Sequence, residues 1–354
     1  MQDLAAALLA EVRIAPRSDV LARAETLIDR LLALHAPRAD ALDAWRLLIA
    51  HRFDEALAAA RRAQTAGTDP LLATISEADA LTELGRYDEA EVAVQSLLDH
   101  HYGIASLARA SHLRRLFGDL PGAIELTEKA IGLSVATVDR AWLALDLADL
   151  QLSAGAPALA LALATSAVAD LPAAALAMQG RAQRALGNAP AALALYRAAA
   201  ARTLRVDTEV EILRLAQALG EQALVASATS LLDGMARLDA QNGGGDRRSF
   251  VEFHLIENQL PAAEALARAE WRQRPDVYSA AQLAWVLFRA GKHDEARAYA
   301  ARAIAEHSVD PPLQWRAGTV LAAMGDARGV ALIDAALKPQ PWLATDATVL
   351  AARQ

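Results

Sequence analysis

Three arginines, Arg181, Arg184 and Arg214, are the residues of this sequence whose type and spacing best suit binding chemistry. The first two are three positions apart, so they would share one face of a helix. A guanidinium group is planar and can donate two parallel hydrogen bonds to one carboxylate, which suits clustered arginines to acidic groups. We therefore predict that this cluster pairs with carboxylates. The alternative is that the arginines are solvated or pair with neighbouring elements of the same chain.

Other residues capable of chemistry do not form a recognisable site. His100, His101 and His112 could suggest a metal site, but adjacent side chains at a helix end diverge and no carboxylate completes the ligand set. The run from Gly243 to Gly245 lacks the Gly-Lys-Ser/Thr that continues a phosphate-binding loop. The chain has no cysteine, which excludes disulfides and thiolate sites. No nucleophile, base and orienting group are arranged together, so we predict no enzyme activity, no metal and no cofactor.

The elements that would position the arginines follow from a repeated pattern. The stretch Gly85-Arg86-Tyr87-Asp88-Glu89-Ala90 recurs in variant form along almost the whole chain, and its closing residue returns at intervals of 32 to 38 residues. These anchor positions are Ala56, Ala90, Ala123, Ala160, Ala192, Val225, Ala263, Ala296 and Val330. A period near 34 in helical sequence is typical of tetratricopeptide repeats, so the chain resembles that class.

Two further columns support this register. Five residues before each anchor, seven of nine positions are Gly and one is Asn, which is the choice of a left-handed helix end. Twelve residues before each anchor, seven of nine positions are small, as expected where the two helices of a hairpin pack closely. We therefore predict an all-α, right-handed α-solenoid of about nine to ten helix-turn-helix repeats.

The register also predicts five segments. Residues 1–36 form an N-terminal helical hairpin, either a degenerate repeat or a cap, and residues 37–240 and 250–340 form repeats. Residues 241–249 are predicted to be a Gly-rich flexible joint, because the longest spacing between anchors falls there. Residues 341–354 are predicted to form a C-terminal capping helix.

Helical-repeat solenoids of this kind present the first helix of each hairpin on the concave surface. The residues beside the small column are then the candidates for partner binding on that face. They are Trp45, Asp79, Glu83, His112, Arg115, Asp149, Arg181, Arg184, Arg214, Glu252, Trp285, Phe288 and Arg289. Their charges alternate in patches, which suits an extended segment or a helix of a partner. The alternative is that the polar residues pair with adjacent repeats and the aromatic ones pack in the core.

The C-terminal part carries a more specific resemblance. From about Met235 to Trp342 the chain resembles a recurrent bacterial tetratricopeptide-repeat segment, through Leu238-Asp239-Ala240-Gln241-Asn242-Gly243, Arg274-Pro275-Asp276-Val277-Tyr278, Leu283 to Gly291 and Arg316-Ala317-Gly318. This resemblance implies a non-catalytic role. The lysine–asparagine carboxylate clamp of the wider class is not expected, because the few Lys and Asn residues do not occupy matching inward positions.

Composition limits the remaining function classes. The net charge of -8 argues against general affinity for nucleic acid or anionic membranes. No apolar run reaches the ~18 residues of a membrane span. Asp3 and Glu11 interrupt the apolar N-terminal stretch, so no export signal is recognised. The sequence as given is therefore expected to be cytoplasmic, or periplasmic if an export signal has been removed.

Together these observations predict a non-catalytic scaffold or adaptor that binds a protein or peptide partner in its concave groove. One alternative is an accessory or assembly subunit of an enzyme or export complex. Another is a nucleic-acid-binding helical-repeat regulator, which the net charge opposes. Homo-oligomerisation through an exposed end repeat is left open.

Overall fold

The computed structural model describes residues 1–14, 17–241 and 245–345. Over these ranges the chain is all-α, with twenty α-helices, one short 3₁₀ helix and no β-strand. None of the helices in these ranges is both long enough and apolar enough to cross a membrane. The helices are α1 (Gln2–Ile14), α2 (Ser18–Ala33), α3 (Ala39–Ile49), α4 (Phe53–Thr65), α5 (Pro70–Glu83), α6 (Tyr87–His100), α7 (Ile104–Leu116), α8 (Leu120–Leu133), α9 (Thr137–Ser153), α10 (Pro157–Ser166), α11 (Pro172–Ala185), α12 (Ala189–Ala200), α13 (Val206–Leu219), α14 (Gln222–Gln241), α15 (Arg247–Ile256), α16 (Leu260–Gln273), α17 (Val277–Arg289), α18 (His293–Ala303), α19 (Pro311–Ala323), α20 (Arg328–Leu337) and the 3₁₀ helix η1 (Pro341–Thr345).

The twenty helices follow one another as ten helix-turn-helix pairs, and the two helices of a pair contact each other, for example in α1–α2, α11–α12 and α19–α20. First helices also contact the first helices of the next hairpin, as α3 does with α5 and α17 with α19. Within each unit, neighbouring hairpins thus bury apolar faces on one another, which is how a helical solenoid is stabilised. The predicted α-solenoid of nine to ten repeats is confirmed.

The turn inside each hairpin adopts the conformation that the glycine column predicts. All nine column positions have positive φ, including the two that are not Gly, His51 at 56° and Asn258 at 54°. At Gly85 the backbone N–H bonds to Thr82 O at 3.1 Å, and the next N–H, of Arg86, bonds to Leu81 O at 2.9 Å. This pair of bonds closes the C-terminus of α5 as a left-handed glycine cap does.

The anchor and small columns pack against each other within the hairpins. The seven anchor alanines are fully buried, whereas the two larger anchors, Val225 and Val330, are only partly buried or exposed. Gly180 of the small column lies beneath the ring of Tyr196, and Gly318 lies against Leu332 and the carbonyl of Gly329. A larger side chain at either glycine would have no room.

The chain divides into two compact units. The first unit comprises Met1–Leu113 together with Gln273–Asp276, and the second comprises Arg114–Arg272 together with the chain from Val277 onward. The division falls inside α7 and not at the glycine run predicted as a joint. Of that predicted joint, residues 242–244 lie outside the described residues, and Asp246 caps α15 by accepting a hydrogen bond from Ser249 N.

The predicted C-terminal capping helix is described only in part. Residues 341–345 form the 3₁₀ helix η1 and not an α-helix, and residues 346–354 lie outside the described residues. The preceding Gln340 is 4% exposed and Leu343 is 7% exposed, so this short element is packed against the second unit.

Three consecutive hairpin turns are covered by loops from much later in the chain, which the sequence did not predict. In the first unit a Cβ at Gly85 would lie 2.5 Å from Pro275 O. In the second unit a Cβ at Gly118 would lie 2.9 Å from His307 O, and one at Gly155 would lie 3.3 Å from Pro339 Cα. The later turns differ, because a Cβ at Gly187, Gly220, Gly291 or Gly325 would meet nothing within 4 Å.

Candidate binding cavity

In the first unit, several predicted groove residues have partners within the unit. Trp45 packs against the apolar core of the first hairpin and α3. Asp79 accepts two hydrogen bonds from Arg109, from Nε at 2.7 Å and from Nη2 at 2.5 Å. Glu83 is paired with Arg274. These placements follow the alternative interpretation of the sequence, in which the groove residues pair or pack within the chain. His112 is an exposed residue of α7.

In the second unit, Arg115 and Asp149 belong to a buried ion network. Arg115 Nη1 lies 2.5 Å from Asp149 Oδ2, and Arg115 Nη2 lies 2.6 Å from Asp310 Oδ2. Arg181 Nη2 lies 2.6 Å from the other oxygen of Asp149. Burial alone would raise the pKa of Asp149, but Arg181 and Arg115 outweigh it and hold this pKa well below its ordinary value. Asp149 is therefore an ionised structural group at neutral pH.

The predicted aromatic patch is part of the core. Trp285 is 3% exposed, and its ring centroid lies 5.8 Å from that of Phe288 and 5.0 Å from that of Trp315. Arg289 lies over the Trp285 ring at 5.8 Å from its centroid. Trp285 is thus buried in the core, as in the alternative interpretation of the sequence, and Trp315 of the next hairpin packs on it.

The remaining predicted residues, Arg181, Arg184, Arg214 and Glu252, line one cavity of about 620 Å³ in the second unit. Its wall is formed mainly by the first helices of six consecutive hairpins, α9, α11, α13, α15, α17 and α19, with η1. The sequence prediction that first helices present the binding face is consistent with this arrangement.

The cavity wall carries more positive than negative side chains. Five arginines line it, against two glutamates, Glu211 and Glu252. Arg184 pairs with Glu211, and Arg214 Nε lies 3.5 Å from the same carboxylate. Glu252 accepts from Arg214 at 3.3 Å, from Arg316 at 2.7 Å and from Gln282 at 2.7 Å. Two carboxylates are thus shared among three guanidinium groups.

The pKa shifts in this wall follow from burial and from these pairs. Burial would raise the pKa of Glu252, but Arg316 and Arg214 outweigh it and lower this pKa. Burial lowers the pKa of Arg184 despite the nearby Glu211. Burial, followed by the charge of Glu211, raises the pKa of Tyr196, so its phenol remains protonated. The wall therefore presents ionised guanidinium groups and a neutral hydroxyl.

Three donor atoms of this wall are buried with neither a hydrogen-bond acceptor nor an ion-pair partner among the described residues. They are Tyr196 Oη, Trp315 Nε1 and Arg316 Nε. Indole and guanidinium N–H groups can only donate, and a phenol can donate. Leaving such groups unpaired costs free energy, about 1–3 kcal/mol each. One acceptor of the wall, Gln282 Oε1, is also buried without a donor among the described residues. Because the unpaired donors outnumber it, the wall is suited to a ligand that brings acceptor oxygens.

An aromatic side chain from the end of the described chain completes the wall. The Trp342 ring lies 3.9 Å below the guanidinium carbon of Arg184, measured to the ring centroid. A cation over an aromatic face is stabilised by the ring quadrupole. Within the described ranges, no three His, Asp or Glu side chains are grouped so that they could hold a metal ion.

Several wall residues were missed in the sequence although their positions followed the register. Glu211, Ser249, Gln282 and Arg316 each stand two residues before the small column, in four consecutive first helices. That position is three residues before the predicted binding position, as Glu211 is before Arg214, so both lie on the same helix face. Extending the candidate stripe by one turn would have found them, whereas Trp342 had no such signal.

Comparisons with known proteins identify the fold. No protein-family model and no curated protein matches the sequence. Among solved structures, the human IFIT1 dimer with m7Gppp-AAAA aligns with 82% of this chain and 69% of that chain, with a TM-score of 0.55 and 16% identity. At that identity the likeness shows the fold alone, a tetratricopeptide-like α-solenoid.

Two further matches are weaker in superposition. The Cut9–Hcn1 hetero-tetramer of the APC/C covers 95% of this chain, with a TM-score of 0.49 and 14% identity, and this chain spans 58% of its length. A tetratricopeptide repeat protein from Parabacteroides merdae covers 71% of this chain and 97% of that chain, with a TM-score of 0.38 and 16% identity.

Proposed function

We propose that this protein is a non-catalytic interaction module that holds a segment of a partner protein in the cavity of its second unit. The observation that carries the proposal is the wall itself, in which four of the six first helices, α11, α13, α15 and α19, present five arginines and two glutamates. A volume of about 620 Å³ is in the range of protein ligand sites, about 300–1,000 Å³. It can take a few side chains of an inserted segment.

The proposed site is smaller than the groove predicted from the sequence. Asp79, Glu83 and Arg115 are paired within the chain, and Trp285 is in the core. Arg181, Arg184 and Arg214 line the cavity and are the residues through which we propose that the partner is held.

The test is affinity capture from extracts of the source organism, with separate cell fractions, comparing two triple charge reversals. One variant carries Arg181→Glu, Arg184→Glu and Arg214→Glu. The matched control carries Arg202→Glu, Arg237→Glu and Arg297→Glu, which change the net charge equally at exposed positions. A partner held by the wild type and the control but lost from the first variant, with unchanged helicity, supports the proposal. A partner held equally by all three places binding elsewhere.

A nucleotide ligand is the second candidate. The human IFIT1 structure contains m7Gppp-AAAA. In this chain, arginines and Trp342 could pair with phosphate and stack on a base. The net charge of -8 opposes the approach of a polyanion. Salt-sensitive binding of a capped RNA oligonucleotide, lost in the Arg181, Arg184 and Arg214 variant, would favour this candidate over a protein partner.

If the protein is instead an accessory subunit of an enzyme or export complex, it would bind through the same surface, and only the identity of the partner would differ. The capture experiment therefore decides it, because an enzyme or export component recovered with the wild type would identify the assembly. Size-exclusion chromatography with light scattering of the purified chain measures self-association separately.

A further inference from the structure

The two glutamates of the cavity wall leave part of its positive charge unmatched. Glu211 forms ion pairs with Arg184 and Arg214. Glu252 accepts hydrogen bonds from Arg214, Arg316 and Gln282. A carboxylate has about four lone-pair positions, whereas each guanidinium has five N–H donors. A ligand that adds carboxylate oxygens would supply the acceptors that this wall lacks.

The donors that lack acceptors lie in two places on the wall. Tyr196, whose Oη is one of these donors, lines the same cavity as Arg181, Arg184 and Arg214. Trp315 Nε1 and Arg316 Nε are both on α19. Tyr196 is 2% exposed and Trp315 is 9% exposed, so both side chains are almost entirely buried. Two acceptor groups, one for each place, would satisfy them.

We propose, resting on the proposed function, that the partner segment is an acidic peptide that inserts two neighbouring Asp or Glu side chains into this cavity. One carboxylate pairs with Arg181 and Arg214 and accepts from the Tyr196 hydroxyl. The other accepts from the Trp315 indole and the Arg316 guanidinium on α19. Charge-assisted hydrogen bonds of this kind are stronger than hydrogen bonds between neutral groups, and here they would form where water is already partly excluded.

Two observations favour carboxylates over a phosphate-rich strand. Glu211 and Glu252 remain in the wall and would repel a densely charged backbone. The whole chain has a net charge of -8, which slows the approach of a polyanion at distance. Two isolated carboxylates on a short peptide are exposed to less of this repulsion.

The experiment is isothermal titration of the whole chain with blocked hexapeptides. Each peptide is acetylated and amidated and carries two glutamates separated by zero to three alanines, and each has a counterpart with glutamine at both positions. We expect at least one glutamate peptide to bind about tenfold or more tightly than its glutamine counterpart. We expect ATP and a ten-nucleotide poly(A) RNA to compete weakly or not at all.

Tyr196→Phe tests the site without removing a charge. Because the hydroxyl has no partner among the described residues, this variant should fold with at least wild-type stability. Its affinity for the glutamate peptide should fall about tenfold, the effect of a lost hydrogen bond to a charged group. Tyr102→Phe is the matched control, since Tyr102 is 63% exposed, and it should leave the affinity unchanged.

The outcomes separate this inference from the proposed function. If glutamate and glutamine peptides bind equally or neither binds, while capture of a partner still depends on Arg181, Arg184 and Arg214, the acidic class is wrong and the cavity remains the interaction site. If the RNA binds more tightly than every peptide, the acidic class is wrong and the nucleotide candidate is favoured. If the peptides bind but Tyr196→Phe has no effect, the assigned geometry is overturned.

Discussion

Arg115 is joined to Asp310, 195 positions later in the chain, by an ion pair of 2.6 Å between Nη2 and Oδ2. The Arg115 side chain is 13% exposed and that of Asp310 is 11% exposed. The same guanidinium holds Asp149 through Nη1 at 2.5 Å. One side chain of α7 thus neutralises carboxylates on α9 and at the start of α19.

We expect Arg115→Met to lower the free energy of unfolding of the second unit by about 3 kcal/mol or more. The substitution removes one partner of a buried ionic network and leaves Asp310 and Asp149 with less compensation. Urea denaturation followed by circular dichroism measures the effect.

The adjacent Arg114→Met is the control for that substitution. Arg114 is 57% exposed and pairs with Asp119 on the surface, so its loss should cost under about 1 kcal/mol. Equal losses for the two variants would show that the buried network does not stabilise the fold.

We expect Gly85→Ala to destabilise the first unit more than Gly67→Ala does. Both glycines have φ near 65°, where a Cβ costs about 1–2 kcal/mol. At Gly67 the added Cβ would meet nothing within 4 Å, whereas at Gly85 it would lie 2.5 Å from Pro275 O. The additional cost should be about 1–3 kcal/mol, as for other overpacked sites. Thermal melting of both variants measures it, and equal melting temperatures would contradict the packing of this loop on the turn.

We expect Gly180→Ala to displace the Tyr196 ring. A Cβ at Gly180 would lie 2.9 Å from Cε2 of that ring. The expected loss of stability is about 1–3 kcal/mol. Near-ultraviolet circular dichroism and a urea titration would detect the moved ring and the lost stability. Ala174→Gly, at an exposed position of α11, is a control for helix propensity alone and should cost about 1 kcal/mol at most.

We expect Glu209→Gln to increase stability at pH 7 to 8 but not at low pH. Burial raises the folded pKa of Glu209 above its unfolded value, about 4.3. Ionising this carboxyl therefore costs more in the folded state than in the unfolded state. The cost is absent below the unfolded pKa, grows as pH rises toward the folded pKa, and is constant above it. Urea midpoints of both proteins between pH 4 and 8 measure it, and a gain that is constant across this range would show that ionisation is not the cause.

The repeat architecture could be predicted from the sequence because its signals are local. A glycine at a hairpin turn, such as Gly291, marks a left-handed residue, and all nine positions of that column have positive φ. An alanine such as Ala284 marks the place where two helices of a hairpin touch, and it is fully buried. Each signal reports a requirement of its own hairpin.

The loops that cover hairpin turns, and the ion pairs and ring contacts of the predicted groove residues, could not be predicted in the same way. Whether Asp149 faces solvent or Arg115 depends on how α7 packs against α9. The residues near Asp149 in the sequence do not indicate that packing. The burial of Trp285 depends on Trp315, which belongs to the next hairpin. The sequence identified the arginine cluster and Glu252 but not Glu211, because Glu211 lies one turn before Arg214 on the same helix face.

The loops that cover Gly118 and Gly155 change how this chain should fold. A simple repeat array contains only contacts between neighbours, so folding can start in any hairpin and spread along the chain. Here the turn at Gly118 makes all of its contacts only after the loop containing His307 has packed against it. The turn at Gly155 likewise requires Pro339. Closing such long segments is entropically costly and raises the contact order. The second unit should therefore fold more slowly, and unfold more cooperatively, than a linear array with the same number of hairpins.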